Sequence, residues 1–414
     1  MSKYCTMIAG LLFWGAGSLL AADRTGAVTE MQKNVAELGA LLEAQGVVFQ
    51  TEALASNVVD AAIRAIDPGA CMVTPEQAEQ FQEEEKGVFY DIGLKLILKD
   101  KRLKIMEVPT NSPAAAAGVP ARTIIEKIED QPMDGTTLDR AVNRLRGRKN
   151  EPVTITVRAE DKGAEARTFQ VTRAGIQMPV TGTMELWPQR IGYMKINGLY
   201  EGAGTQISAQ INAWSGTNCA GMIIDLRGAN GMNLDAVAEI AGMFSHATPI
   251  FFTIKDGFDK TLKTYTTPRN DKPIDRPVMI LVNRDTRGAA ETLAAVLQTC
   301  HGVMIVGVPT RGDNRLRTPL PIANGKVLYI AIKRIDMGKD DYHGKGVIPD
   351  VVVAQTEEKA QSKDAVEDDN GLFSGLSEQE KHDRALITRI GDDLILMRAT
   401  DILLGLKALD SHTH

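Results

Sequence analysis

The run Gly221-Met222-Ile223-Ile224-Asp225-Leu226 decides the fold class, because a nearly continuous apolar run is typical of a strand buried on both faces. A helical pattern over 234–244 follows it. Val278-Met279-Ile280-Leu281-Val282 is a second run of this kind, and a helical pattern over 289–299 leads to a third run at 303–306. Strands that alternate with helices in this order predict right-handed crossovers and a parallel or mixed sheet.

The stretches before this sheet have different periods. Residues 23–88 repeat apolar side chains every three or four positions, which predicts helices, and Thr74-Pro75 is typical of a helix start. Residues 89–173 contain short alternating runs and an amphipathic helix over 138–145. We therefore expect a multidomain α/β (α+β) protein, with helices first, a small mixed unit next and the larger sheet last.

Composition excludes some classes of function. The chain has 414 residues, 43% of them hydrophobic and 24% charged, which suits two or three globular domains. A net charge of −6 without a local basic run argues against a nucleic-acid-binding protein. Of the four cysteines, Cys71, Cys219 and Cys300 follow the N-terminal segment, and their spacing is not that of a metal site.

The N-terminus has the pattern of an export signal. Lys3 precedes an apolar stretch over 7–20, and the small residues Ala21 and Ala22 follow it. The stretch is short for a membrane span, and charged residues come directly after it. We expect a signal peptide over 1–22 and a secreted or periplasmic protein, with a retained N-terminal anchor as the alternative.

Several motifs, taken in order, resemble one family. They are Ile92-Gly93-Leu94, Asn111-Ser112-Pro113-Ala114, Leu145-Arg146-Gly147, Ile191-Gly192-Tyr193, Ile223-Ile224-Asp225-Leu226-Arg227 and His343-Gly344-Lys345-Gly346-Val347. The first three resemble a bacterial-type PDZ domain, and the others resemble the C-terminal processing (tail-specific) serine peptidase family. The resemblance implies a PDZ domain over 89–173 and a peptidase-like core over 174–355. Beyond it, a polar, acidic stretch without an apolar period predicts a linker over 356–376, and an amphipathic pattern predicts a C-terminal helix over 377–414.

The resemblance also locates the expected chemistry, acyl transfer by a serine that a lysine activates. At the matching positions this chain has Gly288 for the serine, Asp313 for the lysine and Arg317 for an assisting glutamine. The glycine pair of the oxyanion turn is matched by Gly231-Met232. We therefore expect no intact catalytic residue and treat Gly288, Asp313, Arg317 and Gly231 as vestigial positions. The four-residue spacing permits an ion pair between Asp313 and Arg317, and we offer this pair as a prediction.

Other hydroxyls and bases near these positions are alternatives. Thr286 and Thr292 flank Gly288, and either one with Asp313 as a base would make a relocated hydrolytic site. His343-Gly344-Lys345 suits a structural turn better than a substitute base. Ser245-His246 are adjacent on one segment, so their side chains are poorly placed to act on each other.

The PDZ resemblance implies a peptide groove, independent of the serine and lysine. Its carboxylate-binding loop would be Ile92-Gly93-Leu94, and its apolar wall would comprise Leu94, Leu96, Val142 and Leu145. The expected partners are polypeptide C-termini or unfolded segments, with an active protease relative and a homo-oligomer as further alternatives. We expect no cofactor, no metal and no nucleic acid. Three hypotheses follow, namely a non-hydrolytic peptide-binding protein, a working peptidase with a relocated site and a structural homo-oligomer.

Overall fold

The computed structural model describes residues 18–47, 51–99, 102–160, 164–217, 219–245, 250–267, 270–322, 325–353 and 377–412. The signal-peptide prediction up to residue 17, the predicted linker and His246 lie outside the described residues. The chain divides into two compact units, Met1–Val73 with Pro319–Ile330 and Thr74–Thr318 with Ala331–His414.

Helices and strands alternate along the described chain. The helices are α1 (Ser18–Ala44), α2 (Thr51–Ile66), α3 (Pro75–Glu85), α4 (Pro113–Ala116), α5 (Leu138–Leu145), α6 (Ala203–Ser215), α7 (Leu234–Gly242), α8 (Ala289–Gln298), α9 (Glu378–Asp392) and α10 (Leu394–His412). The strands are β1 (Cys71–Val73), β2 (Val88–Asp91), β3 (Lys95–Lys99), β4 (Arg102–Glu107), β5 (Thr123–Ile128), β6 (Gln131–Pro132), β7 (Pro152–Ala159), β8 (Arg167–Thr172), β9 (Ala174–Gln177), β10 (Thr181–Leu186), β11 (Ile191–Ile196), β12 (Gly198–Leu199), β13 (Gly221–Asp225), β14 (Asn230–Gly231), β15 (Ile250–Asp256), β16 (Thr261–Thr266), β17 (Val278–Val282), β18 (Val303–Gly307), β19 (Arg315–Pro321), β20 (Val327–Asp336) and β21 (Val351–Val352).

The first unit combines helices with β1, the end of β19 and the start of β20. It holds α1 and α2, and β1 pairs antiparallel with the start of β20, so that Cys71 lies opposite Tyr329. The two helices match the apolar period of the sequence. Leu38 and Leu41 on α1 are 43% and 59% exposed, so the apolar face of this helix is only partly covered within the unit.

The second unit is built around a six-stranded sheet with the order β10-β11-β13-β17-β18-β21. β11, β13, β17, β18 and β21 run parallel, and β10 is antiparallel to β11. α6, α7 and α8 pack on one face through a large apolar cluster, and α10 packs on the other face through Ile395, Leu396, Ala399 and Leu403. The predicted mixed sheet with helices between its strands is confirmed, because its central strands are buried on both faces.

Two parts of this unit differ from the sequence prediction. A hairpin of β15 and β16 was not predicted, since its second strand is polar and mostly exposed. The single predicted C-terminal helix is wrong, because the chain breaks at Asp393, which has φ −112° and ψ 97°. The Asp393 carboxylate accepts the amide of Leu396 at 3.0 Å and so begins α10 as a new helix.

Residues 88–177, which we call the small-sheet region, form a separate sheet with the order β3-β4-β5-β7-β8. Its core includes Ile92, Ile105, Ala141 and Leu145, and α5 covers one side of it. The region begins and ends in one antiparallel ladder, in which Phe89 of β2 lies opposite Ile176 of β9. α3 precedes it and begins with the predicted cap, since Thr74 and Gln77 form a capping box with Pro75 at the first helical position.

Among the described residues, the helices are too short or too polar to cross a membrane, and acidic, histidine and cysteine side chains form no group suited to a metal ion. Within the described residues, Cys71, Cys219 and Cys300 form no disulfide bond. Burial raises the pKa of Cys300 to about 11, so this thiol is unreactive at neutral pH.

Candidate functional site

The turn from β17 into α8, which we call the Gly288 turn, brings backbone atoms close together. Gly288 begins the helix with φ 61° and ψ −135°, a conformation that strongly favours glycine. A Cβ atom at this position would lie 2.6 Å from the carbonyl oxygen of Gly231 and 3.5 Å from the sulfur of Met232. The helix start therefore lacks a nucleophilic side chain and has no free space for one.

Glu291 ties the Gly288 turn to the loop that carries Asp313. Its side chain is fully buried and accepts hydrogen bonds from the hydroxyl of Thr310 and from the amides of Gly312, at 2.6 Å, and Asp313, at 3.3 Å. Burial raises the pKa of this carboxyl, against the lowering effect of its three donors. The position was visible in the sequence as an acid within a nearly continuous apolar helix, a pattern that requires buried hydrogen-bond partners.

Asp313 is held by two arginines. Its carboxylate oxygens lie 2.8 Å from Nε of Arg315 and 2.9 Å from Nη2 of Arg317, so the ion pair predicted from spacing is confirmed. Burial alone would raise the pKa of Asp313, but the hydrogen bonds from Arg315 and Arg317 outweigh it and lower the pKa. A carboxylate so stabilised in its ionised form is a poor acceptor for a hydroxyl proton.

The strand that would carry the oxyanion turn is tightly packed. Gly231 has φ 101° and pairs through β14 with Leu199 of β12, and a Cβ atom here would collide with the Leu199 backbone. The next residue is Met232, whose sulfur borders Gly288. A bulky thioether therefore lies where the resemblance implies a second glycine.

The two threonines near Gly288 have internal hydrogen-bond partners. The Thr286 hydroxyl donates to the carbonyl oxygen of Leu226 at 2.9 Å. The Thr292 hydroxyl lies 3.1 Å from the carbonyl oxygen of Gly288 and 2.9 Å from the hydroxyl of Tyr342. Both threonine side chains are fully buried, so these contacts support structural roles for them.

The other candidate bases lie elsewhere. His343 and Lys345 are exposed on a turn that the amide of Gly346 closes onto the carbonyl of Tyr342 at 2.9 Å, as the structural interpretation predicts. Lys195 has a pKa lowered by burial, against the raising effect of Asp225. It lies on the same face of β11 as Tyr193, which packs with α10, whereas α8 packs on the opposite face.

Asp225 is the centre of a buried charge network on that face. It accepts from Nη2 of Arg227 at 2.6 Å and from the hydroxyl of Tyr193 at 3.0 Å, and Arg227 also pairs with Asp393 at 2.7 Å. Burial would raise the pKa of Asp225, but Arg227 and Lys195 outweigh burial and lower it to about 2. The network joins the sheet to the start of α10, a structural role.

β3 is an end strand of the small-sheet region and lies beside α5, and we call the space along this edge, with Leu94, Leu96 and Val142, the groove. Leu94, Leu96 and Val142 are half-buried, as a groove wall requires. One predicted member of the groove wall is wrong, because the Leu145 side chain is 2% exposed and belongs to the core of the region. The Ile92 side chain is 0% exposed and also belongs to this core, but the role predicted for Ile92 lies in the backbone of the carboxylate-binding loop. A helix of eight residues turns Leu145 toward the sheet while Val142, three residues earlier, stays half-exposed.

The loop at the end of this groove depends on a glycine. Gly93 has φ 75°, and a Cβ atom here would lie 2.7 Å from Cβ of Ser112. The carbonyl of Ile92 accepts the amide of Ala114 at 3.0 Å, which fixes the loop against α4. Within the part of the chain that the structure describes, the amides of Gly93 and Leu94 donate to no other group.

Comparison with known proteins shows which family the large sheet is similar to. Residues 190–353 match the model of peptidase family S41. This stretch of the chain, which contains Gly288 and Asp313, is therefore similar to the S41 peptidases. A carboxy-terminal-processing protease of Bartonella bacilliformis is 23% identical over 427 aligned positions, which cover 96% of each chain.

Two solved structures are also similar to this chain. The photosystem II D1 C-terminal processing protease has 21% sequence identity and a TM-score of 0.46, covering 73% of this chain and 82% of that chain. The PDZ domain of a Vibrio cholerae carboxy-terminal protease, in complex with a peptide, has 23% identity and a TM-score of 0.21, covering 22% of this chain and 99% of that domain.

Proposed function

We propose that this S41 family member is an exported, non-hydrolytic protein that binds C-terminal tails or unfolded segments of other proteins. The observation that carries the proposal is Gly288, which supplies no nucleophile at the start of α8 and whose surroundings leave no room for one. Acyl transfer through a covalent intermediate needs a side-chain nucleophile with an adjacent base.

The surroundings of Gly288 support the same conclusion. Asp313 is engaged by Arg315 and Arg317, and the hydroxyls of Thr286 and Thr292 are buried against backbone carbonyls. A relocated site would need one of these hydroxyls to leave its present partners and reach a base. These contacts therefore favour a protein without peptidase activity over a peptidase with a relocated site.

The small-sheet region supplies the binding site. In recognition by strand addition, an extended peptide pairs with a sheet edge through main-chain hydrogen bonds, and apolar side chains enter the groove beside it. Here β3 is an end strand of its sheet, and Leu94, Leu96 and Val142 line the adjacent groove. The Vibrio cholerae PDZ domain named above was solved with a peptide.

The test uses the purified full chain and an unstructured reporter protein with an apolar C-terminus. We expect no cleavage over a day by mass spectrometry and retention of the reporter on immobilised protein. Val142→Asp should abolish retention, because it places a charge in the groove wall. The control is Asp235→Asn, a change at an exposed residue of α7 outside the small-sheet region. Cleavage that Thr286→Ala or Thr292→Ala abolishes would instead establish a relocated peptidase site.

Export, homo-oligomerisation and pairing with an active relative stay predictions. A protein that binds peptides of extracytoplasmic proteins must be exported. The same function is compatible with homo-oligomerisation and with pairing with an active relative. The exposed Leu38 and Leu41 of α1 offer a surface for self-association.

A further inference from the structure

The loop at the end of the groove already holds a carboxylate. β2 ends at Asp91, and Oδ1 of Asp91 accepts the amide of Ile92 at 2.5 Å. The other carboxylate oxygen of Asp91 lies 3.8 Å from Nε of Arg146, which follows α5. The Asp91 side chain is 20% exposed, so solvent screens its charge only in part.

In grooves of this kind, backbone amides of the loop bind the terminal carboxylate of a peptide. Here one of the three loop amides, that of Ile92, is used by Asp91, and those of Gly93 and Leu94 remain. A peptide carboxylate bound to the amides of Gly93 and Leu94 would lie close to the Asp91 carboxylate, because Asp91 precedes these two residues by only two and three positions in the chain. Both groups carry a negative charge. Two like charges at this range repel, and partial burial strengthens the repulsion.

Arg146 offsets this repulsion only in part. Its guanidinium carbon lies 4.4 Å from the centre of the Phe89 ring, and its Nη2 is 3.8 Å from the sulfur of Met178. Phe89 and Met178 therefore hold this arginine in place, and Asp91 is the acidic residue beside it. A ligand carboxylate would have to share this cation with Asp91.

We infer that the groove selects internal, extended apolar segments and discriminates against free C-terminal carboxylates. An internal segment presents neutral carbonyl oxygens to the amides of Gly93 and Leu94, so Asp91 does not repel it. The inference rests on the proposed peptide-binding function and chooses between its two ligand classes. Asp91 is then a specificity-determining residue, with no role in holding the fold of the large sheet.

The experiment measures fluorescence anisotropy of one labelled apolar peptide in two forms, with a free C-terminal carboxylate and with a C-terminal amide. The full chain should bind the amide at least as tightly as the acid. Asp91→Gly frees the Ile92 amide and removes the charge, and should tighten binding of the acid by about tenfold relative to the amide. Asp91→Asn removes only the charge and keeps an acceptor for Ile92, so it should shift the preference in the same direction by less.

Asp130→Asn is the matched control, because this exposed acid lies in the turn between β5 and β6. It should leave the ratio of the two dissociation constants unchanged. If the unaltered chain binds the acid tenfold more tightly than the amide, the inference is overturned while the peptide-binding function stands. If neither peptide form binds to the chain or to the Asp91 variants, the peptide-binding function itself fails, and the inference fails with it.

Discussion

Two glycine turns in this molecule share a positive φ but have different surroundings. Gly93 has φ 75° and leaves two neighbouring amides without partners among the described residues. Gly288 has φ 61°, and the backbone of Gly231 and the side chain of Met232 close the space beside it. A Cβ atom at Gly93 would meet side-chain atoms of Ser112 and Ile176, whereas at Gly288 the nearest atom is a backbone carbonyl oxygen, which a change of rotamer cannot move. A glycine turn is therefore weak support for a particular chemistry.

The largest loss of stability is expected from a change at Glu291, which links the Gly288 turn to the loop that carries Asp313. Glu291→Ala leaves the hydroxyl of Thr310 and the amides of Gly312 and Asp313 without their buried acceptor. Each unsatisfied donor costs about 1–3 kcal/mol, so we expect a loss of at least about 3 kcal/mol in urea unfolding. Glu239→Ala, at an exposed position of α7, should change stability by less than about 0.5 kcal/mol. Equal effects of the two variants would contradict the scaffold role.

A smaller effect tests whether the Gly288 turn has room for a side chain. Gly288→Ala combines a positive φ with a contact at 2.6 Å to backbone, and should cost about 1–3 kcal/mol without creating activity. Gly391→Ala is the matched control, since it lies in helix α9 with open space around it and should stabilise by up to about 1 kcal/mol. A neutral Gly288→Ala variant would show that the turn accepts a nucleophile, and would reopen the case for reactivation.

The smallest effect concerns Asp313. Asp313→Ala removes the partner of Arg315 and Arg317, and should lower the melting temperature at pH 7 by an amount that corresponds to about 1 kcal/mol. Because the pKa of Asp313 is lowered in the folded state, its contribution is present above the ordinary value of 3.8 and is lost as the pH falls further. The difference between variant and parent should therefore be constant from pH 7 to pH 5 and shrink below pH 3.8.

Glu107→Ala serves as the comparison for Asp313. Glu107 pairs with Lys95 at a position where the carboxylate is 57% exposed, so no measurable change in melting temperature is expected. An Asp313→Ala variant that melts like the parent at pH 7 would show that the two arginines gain nothing from this carboxylate.

The large sheet could be predicted from the sequence because β13 and β17 are unbroken apolar runs with helices between them. The hairpin of β15 and β16 could not, since an exposed strand such as Thr261–Thr266 has no apolar face to give a period. Leu145 was placed wrongly for a related reason. The period of α5 shows which residues share a face, but only the packed structure shows whether that face meets a core or a groove.

For the candidate site, the sequence predicts which positions are replaced but predicts few of the contacts between their side chains. The sequence indicates that Gly288 and Asp313 replace reactive residues, and four-residue spacing indicates the pair with Arg317. It does not indicate that Met232 borders Gly288, because the two residues lie far apart in the sequence. The acceptor role of Asp91 toward the next amide also depends on a side-chain rotamer, which residue identity alone does not determine.

The ladder of β2 and β9 determines how the small-sheet region is connected to the rest of the chain. Because Val88 lies opposite Gln177, the polypeptide enters and leaves the small-sheet region at neighbouring points. Such a region is an insertion in the topological sense, and replacing residues 92–173 by a two-residue turn would convert the ladder into an ordinary hairpin. The small-sheet region could thus be exchanged for another insertion without a change in the order of strands in the large sheet.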